Sequence, residues 1–344
     1  MKANMSIHKE GTSREDMVRF ARQALGLSEP VSIGLYPLAG RGSDRTYFRL
    51  RWDHTASAIL VHYDPNRIEN AYHADIASFL RDINVPVPHV FRHDPAVCLI
   101  LMEDLGETDL WSLRNSPRET RRVLYQKTLT IVQRLHSYPG KEFPFGRVRL
   151  MEGFGPDLYR WERDYFRDHF VKGVCRMELE PAPEREIETE LAALAERLGG
   201  LPCSLVHRDL QSQNVMIREE EPFLIDFQGM RFGSLFYDLG SLLYDPYVEF
   251  SDEERDDLLS FYYALSKQDL DWGPFQTCFW EASAQRLMQA LGAYGFLGLK
   301  KGLRAYLEHV PAGLHNLLRA AAQVASLPRL LELTRACQKV TGQK

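Results

Sequence analysis

The chain has 344 residues, 44% of them hydrophobic and 26% charged, with a formal net charge of −5. That length buries a large core in one or two domains, and the composition is that of a folded globular protein. Acids and bases are mixed without a long basic run, which argues against nucleic acid or a membrane surface as partner. Cys98, Cys175, Cys203, Cys278 and Cys337 are scattered and form no C-x-x-C pair, so neither a disulfide framework nor a zinc site is expected and a reducing cytosol fits. Residues 1–16 lack the apolar core of a secretory signal, and no apolar run reaches bilayer length, so a cytoplasmic location is expected.

Helical spacing of Met17, Phe20, Ala21 and Leu25 predicts a helix over 13–27, with Ser13 and Asp16 at its start. Strands are predicted over 32–38, 46–51 and 58–63. The turn after the first holds Gly40, Gly42 and Ser43, candidates to cover nucleotide phosphates with backbone N–H groups, with Arg45 adding positive charge. A helix over 68–80 is broken by Val85-Pro86-Val87-Pro88, and a further strand covers 97–102. It ends at Glu103-Asp104-Leu105-Gly106, a connector where backbone groups of Glu103 and Leu105 are candidates to meet an adenine edge. Beyond it, helices are predicted over 118–136, 156–177, 183–198, 251–266, 275–297 and 314–327, interrupted by a strand-loop-strand island over 204–226. The expected fold is α+β and two-lobed: a small β-rich N-terminal lobe, 1–104, and a large mainly helical C-terminal lobe, 105–344.

The island carries the chemistry. It reads His207-Arg208-Asp209-Leu210-Gln211-Ser212-Gln213-Asn214, then Ile225-Asp226-Phe227-Gln228-Gly229. Phosphoryl transfer asks a protein mainly for alignment and charge compensation. Asp209 is the candidate catalytic base for an acceptor hydroxyl. Asn214 and Asp226 are the candidate Mg²⁺ ligands, one a neutral oxygen donor and one anionic. His207 and Arg208 are expected to be scaffold, and Asp238 either to brace the loop or to cap a helix. The polar face of the helix with Arg160, Arg163 and Arg167 is a candidate for an anionic acceptor.

These residues resemble the aminoglycoside phosphotransferase-like kinases, a small-molecule branch of the protein-kinase-like fold. The branch's H-x-D-x-x-x-x-N signature matches His207, Asp209 and Asn214, and its metal-binding Asp matches Asp226. Asp209-Leu210-Gln211-Ser212-Gln213-Asn214 with Asp226-Phe227-Gln228-Gly229 looks most like bacterial anomeric kinases of N-acetylmuramate and N-acetylglucosamine. The resemblance implies an ATP- and Mg²⁺-dependent kinase whose partner is a small amino-sugar acceptor, acting in cell-wall recycling. The Lys that kinases place on the third strand is missing: that strand reads Ile59-Leu60-Val61-His62-Tyr63, and the next helix offers only Glu69, His73 and Asp75. Arg45 or Arg49 is a candidate substitute, with metal ions alone as the alternative. Aminoglycoside, choline, homoserine and other sugar acceptors stay open, as does a nucleotide-binding pseudokinase.

Overall fold

The computed structural model describes residues 12–38, 45–53, 56–267 and 269–342; Gly40, Gly42 and Ser43 lie outside them. Ser13 opens α1 (Arg14–Leu25) with a capping box: its hydroxyl accepts from the Asp16 N–H, and the Asp16 carboxylate accepts from the Ser13 N–H. Five antiparallel strands follow: β1 (Gly34–Leu38), β2 (Thr46–Arg51), β3 (Ser57–His62) and, after α2 (His73–Asp82), β4 (Val90–Asp94) and β5 (Leu99–Glu103). Their order is β1-β2-β3-β5-β4.

Both faces of the central strands are buried. Ala58, Leu60, Leu99 and Leu101 pack with Met17, Phe20 and Ala21 of α1, while Ile59, Val61, Ile100 and Met102 form a second cluster. Two covered faces explain why β3 and β5 read as unbroken apolar runs instead of alternating. β4 has no counterpart among the expected strands. It lies at the sheet edge, and a shift in pairing between Val90 and Arg92 breaks its period.

By contacts the chain forms two compact units, residues up to Ala77 with Pro88–Asp104, and Ser78–Val87 with Leu105–Lys344. Sequence reasoning keeps residues 78–87 with the first lobe; their packing explains the different grouping. Phe79 meets Tyr138 and Phe143 edge-on at 5.1 and 5.0 Å between ring centroids, and Leu224 N–H donates to the Pro86 carbonyl at 2.9 Å.

The second unit holds the remaining helices: α3 (Arg118–His136), α4 (Pro156–Tyr165), α5 (Pro181–Gly199), α6 (Leu235–Leu243), α7 (Asp252–Ser266), α8 (Trp272–Gly295), α9 (Val310–Ala322) and α10 (Pro328–Thr341). The helix expected over 156–177 is α4 continued as a π-helix, Phe166–Val174. The one expected over 314–327 stops at Ala322, and Pro328 starts α10 at the position where a missing N–H costs nothing. α8 is buried on almost every side and packs against α6, α9 and the π-helix. Its approach to α6 needs Gly240, where a Cβ would stand 2.8 Å from Ser283 Cα. No helix among the described residues is long and apolar enough to cross a membrane.

Candidate active site

Two short antiparallel pairings build the site in the second unit. β6 (Ser204–Val206) pairs with β9 (Arg231–Gly233), and β7 (Val215–Arg218) pairs with β8 (Glu221–Leu224). The β7–β8 turn, Glu219-Glu220, has both residues at positive φ, 53° and 61°, as a tight hairpin of right-handed twist requires. Val215 stands opposite Leu224, and Ile225 N–H donates to the Asn214 carbonyl at 3.0 Å. The hairpin therefore sets Asn214 beside the chain that delivers Asp226.

Buried carboxylates hold the loop from His207 to Asn214. Asp238 accepts the backbone N–H groups of His207 at 2.6 Å and Arg208 at 2.8 Å, and lies 3.1 Å from His136 Nε2. Arg208 has φ 78°, an unfavourable value for a residue with a Cβ, and the Asp238 hydrogen bonds to its own N–H and to that of His207 hold it there. Asp245 accepts from the N–H of Ser212 at 2.7 Å and of Tyr247 at 3.1 Å. His207 is fully buried, with Nε2 2.9 Å from the Ile225 carbonyl. It joins the two halves of the site and does not reach its surface.

The Asp209 carboxylate is gripped from both sides. Arg208 Nη1 donates to Oδ2 at 2.6 Å, and Arg286 Nη2, from α8, lies 3.6 Å from Oδ1. Burial pushes this carboxyl up, but Arg208 and then Arg286 outweigh it, so it lies below the ordinary aspartate value and is ionised at neutral pH. Behind it sits Glu162, completely buried, accepting from Tyr237 OH at 2.7 Å and Gln285 Nε2 at 2.8 Å.

Asn214 Nδ2 donates to the Asp209 carbonyl at 2.8 Å, which commits the nitrogen and leaves the amide oxygen as a donor atom for a cation. Asp226 sits in the left-handed region at φ 63°, with Gln228 Nε2 on its Oδ1 at 2.8 Å. The Gln228 Oε1 is buried without a hydrogen-bond partner. One carboxylate and two amide oxygens are hard donors that suit Mg²⁺. Among the described residues no group of three or more His, Cys, Asp or Glu is placed to hold a metal.

A profile of the phosphotransferase enzyme family, APH, matches residues 35–275. The chain belongs to the APH family. It is 23% identical over 296 residues to the N-acetylmuramate/N-acetylglucosamine kinase of Neisseria meningitidis serogroup B, covering 84% of this chain and 86% of the relative. It is 24% identical over 318 residues to the enzyme of the same name from Pseudomonas aeruginosa, covering 90% of each. An ADP-bound aminoglycoside phosphotransferase superposes with TM-score 0.57 at 13% identity, covering 89% of this chain and 99% of that one. This APH chain is thus a phosphotransferase with an alcohol acceptor, a small-molecule kinase, and its fold is protein-kinase-like.

Several sequence expectations meet different surroundings in this APH fold. Asp238 does not cap a helix: α6 begins three residues earlier, behind Ser234, and Asp238 lies inside its first turn. Arg49 forms a buried ion pair with Asp104, Nε to Oδ2 at 2.7 Å, and Nη2 donates to Oδ1 at 3.1 Å, which fixes the segment between Glu103 and Leu105. Arg45 lies with Cζ 5.9 Å from the Tyr47 ring centre. His62, on the strand where kinases carry Lys, is pushed below the ordinary imidazole value by burial and is neutral at pH 7. Arg163 reaches the Leu191 carbonyl and Glu188, and Arg167 pairs with Asp164, Asp168 and Glu188, so both are absorbed by helix acids.

Sequence reasoning missed Arg286, Glu162 and Tyr237. The signal for Arg286 was present: a guanidinium in the middle of an apolar helix must have a buried partner.

Proposed function

We propose that this chain is an ATP- and Mg²⁺-dependent kinase that phosphorylates the anomeric hydroxyl of N-acetylmuramate or N-acetylglucosamine. The observation that carries this is an ionised Asp209, held by Arg208 and Arg286 beside the Asn214–Asp226 pair. The amino-sugar acceptor is supported by near full-length similarity to kinases of that name, and ATP by the ADP-bound neighbour.

In this reading Asp209 accepts a hydrogen bond from the acceptor hydroxyl, aligns its oxygen for in-line attack on the γ-phosphorus of ATP, and takes its proton as the new O–P bond forms and the bond to the β,γ-bridging oxygen breaks, releasing ADP. A base held this acidic is suited to orienting the hydroxyl and receiving the proton late in the transfer. Arg208 and Arg286 fix the carboxylate, so it is not reoriented during the reaction. Asn214 Oδ1 and Asp226 would hold Mg²⁺, with Gln228 steadying the Asp226 carboxylate. When bound, that ion neutralises charge on the nucleotide phosphates. Asp238 sustains the loop geometry through the backbone. A nucleotide-contacting role for Gly40, Gly42, Ser43, Arg45, Glu103 and Leu105 stands on chain position and on Asp104 being fixed by Arg49.

Phosphorus NMR of the protein with ATP, Mg²⁺ and a panel of sugars tests the acceptor. A new sugar 1-phosphate signal is expected with the N-acetylated amino sugars, and phosphorylation confined to other acceptors sinks the assignment. Asp209→Ala should lower kcat about 10²–10⁴-fold while nucleotide binding survives.

A further inference from the structure

Among the described residues five arginines are more than nine-tenths buried: Arg49, Arg163, Arg231, Arg255 and Arg286. Four have a carboxylate within ion-pair distance: Arg49 has Asp104 at 2.7 Å, Arg163 has Glu188 at 3.9 Å, Arg255 has Asp252 at 3.3 Å, and Arg286 has Asp209 at 3.6 Å. Arg231 has none among the described residues. Its one hydrogen bond to the protein runs from Nε to the Gly229 carbonyl at 3.1 Å, and its terminal nitrogens donate to no described protein atom. Its Cζ lies 5.7 Å from the centre of the Phe154 ring. A buried guanidinium without a counter-ion is costly, and a chain that keeps one has a use for an anion there.

The position of Arg231 says which anion. It stands opposite Val206 in the β6–β9 pair, one residue before the catalytic loop begins. Gly229, to which it is bonded, lies against the base: a Cβ there would be 3.9 Å from Asp209 Oδ2. Arg231 is therefore close to Asp209 without touching it, and burial together with Arg208 beside it pulls its pKa down from the usual guanidinium value. An anion arriving at Arg231 would relieve both effects.

We propose that Arg231 is a specificity-determining residue that receives a carboxylate carried by the acceptor, which for N-acetylmuramate is the lactyl carboxylate. This rests on the amino-sugar reading above. The lactyl ether is carried on C3 of the ring, two ring atoms from the anomeric carbon. A sugar whose C1 hydroxyl meets Asp209 thus needs its cation near the base but not on it. Arg231 meets that requirement; Arg208 and Arg286, both turned onto the Asp209 carboxylate, do not. A planar guanidinium with free terminal N–H groups also matches a carboxylate in fork geometry.

The test compares N-acetylmuramate with N-acetylglucosamine, which differ by the lactyl ether, using wild type, Arg231→Met and Arg231→Lys. Wild type is expected to turn over both sugars and to prefer the one bearing the carboxylate. Arg231→Met should lower the ratio of kcat/KM for N-acetylmuramate over N-acetylglucosamine by about tenfold or more, mainly through the KM of N-acetylmuramate. Arg231→Lys should restore part of the ratio. Remaining N-acetylglucosamine turnover reports that the variants are folded. If both sugars lose equally, the proposal is overturned, because Arg231 then serves the phosphoryl group or the fold. Where Arg231→Met is inactive on both, Arg231→Gln, which keeps a polar side chain but not the charge, decides: a wild-type ratio in that variant overturns the proposal. Wild type that phosphorylates only N-acetylglucosamine overturns it while leaving the amino-sugar reading intact. Wild type inactive on both sugars overturns the reading and the proposal together.

Discussion

At the scale of single residues, the second unit is governed by a few buried carboxylates with different partners. Asp238 does its work through two backbone donors and His136. Asp238→Ala strips all three at once and should cost about 2–4 kcal/mol, read as a lower urea midpoint, together with a fall in kcat as Arg208 leaves its left-handed conformation. Glu162 behaves differently. Burial pushes its carboxyl above the ordinary glutamate value, with Arg208 and hydrogen bonds from Gln285 and Tyr237 offsetting part of the rise. A carboxyl whose pKa is raised by folding binds its proton more tightly in the native state. The stability it gives is complete at low pH and is lost as pH climbs from the ordinary value through the raised one. Glu162→Gln keeps the shape and removes the titration, so its stability should fall less than that of wild type over that interval. Parallel stability profiles for the two proteins would show that Glu162 is not the group responsible.

At the scale of elements, what was legible in the sequence was what is local. Asp209, Asn214 and Asp226 were found because a strand-loop-strand stretch brings them together by short-range pairing. Ser251 and Glu254 likewise announce α7, where they form a capping box. Arg286 and Glu162 reach the same site on α8 and α4, by packing of elements far apart in the chain, and no spacing rule reports that. β4 escaped because an edge strand with a pairing shift has no clean period. The contact of α6 with α8 shows how closely this scaffold is fitted. Gly240→Ala would press a methyl against the Ser283 backbone and should destabilise the protein by about 1–3 kcal/mol, measured as a lowered Tm.

At the scale of the whole molecule, fold class was readable because the change from strand to helix grammar is abrupt and long stretches agree with it. The detailed limits of the two units were not, since α2 is one helix whose halves pack with different neighbours. The phosphoryl-transfer reading makes a global prediction as well. A ligand bound only by the native state stabilises it by about 2.7 kcal/mol at a hundredfold excess over Kd. Mg²⁺-ATP should therefore raise Tm in wild type and in Asp209→Ala, and much less in Asp226→Ala. An equal rise in all three would remove Asp226 from metal binding.

The Glu219-Glu220 turn has a last consequence. Four paired positions on each strand separate it from the site, yet with them it acts as a ruler between Asn214 and Asp226. Because side chains alternate across a pleated pair, a single-residue deletion there would turn one member of the pair away from the other. The turn is solvent-facing and far from any chemistry, yet its length is as constrained as the identity of the residues it measures.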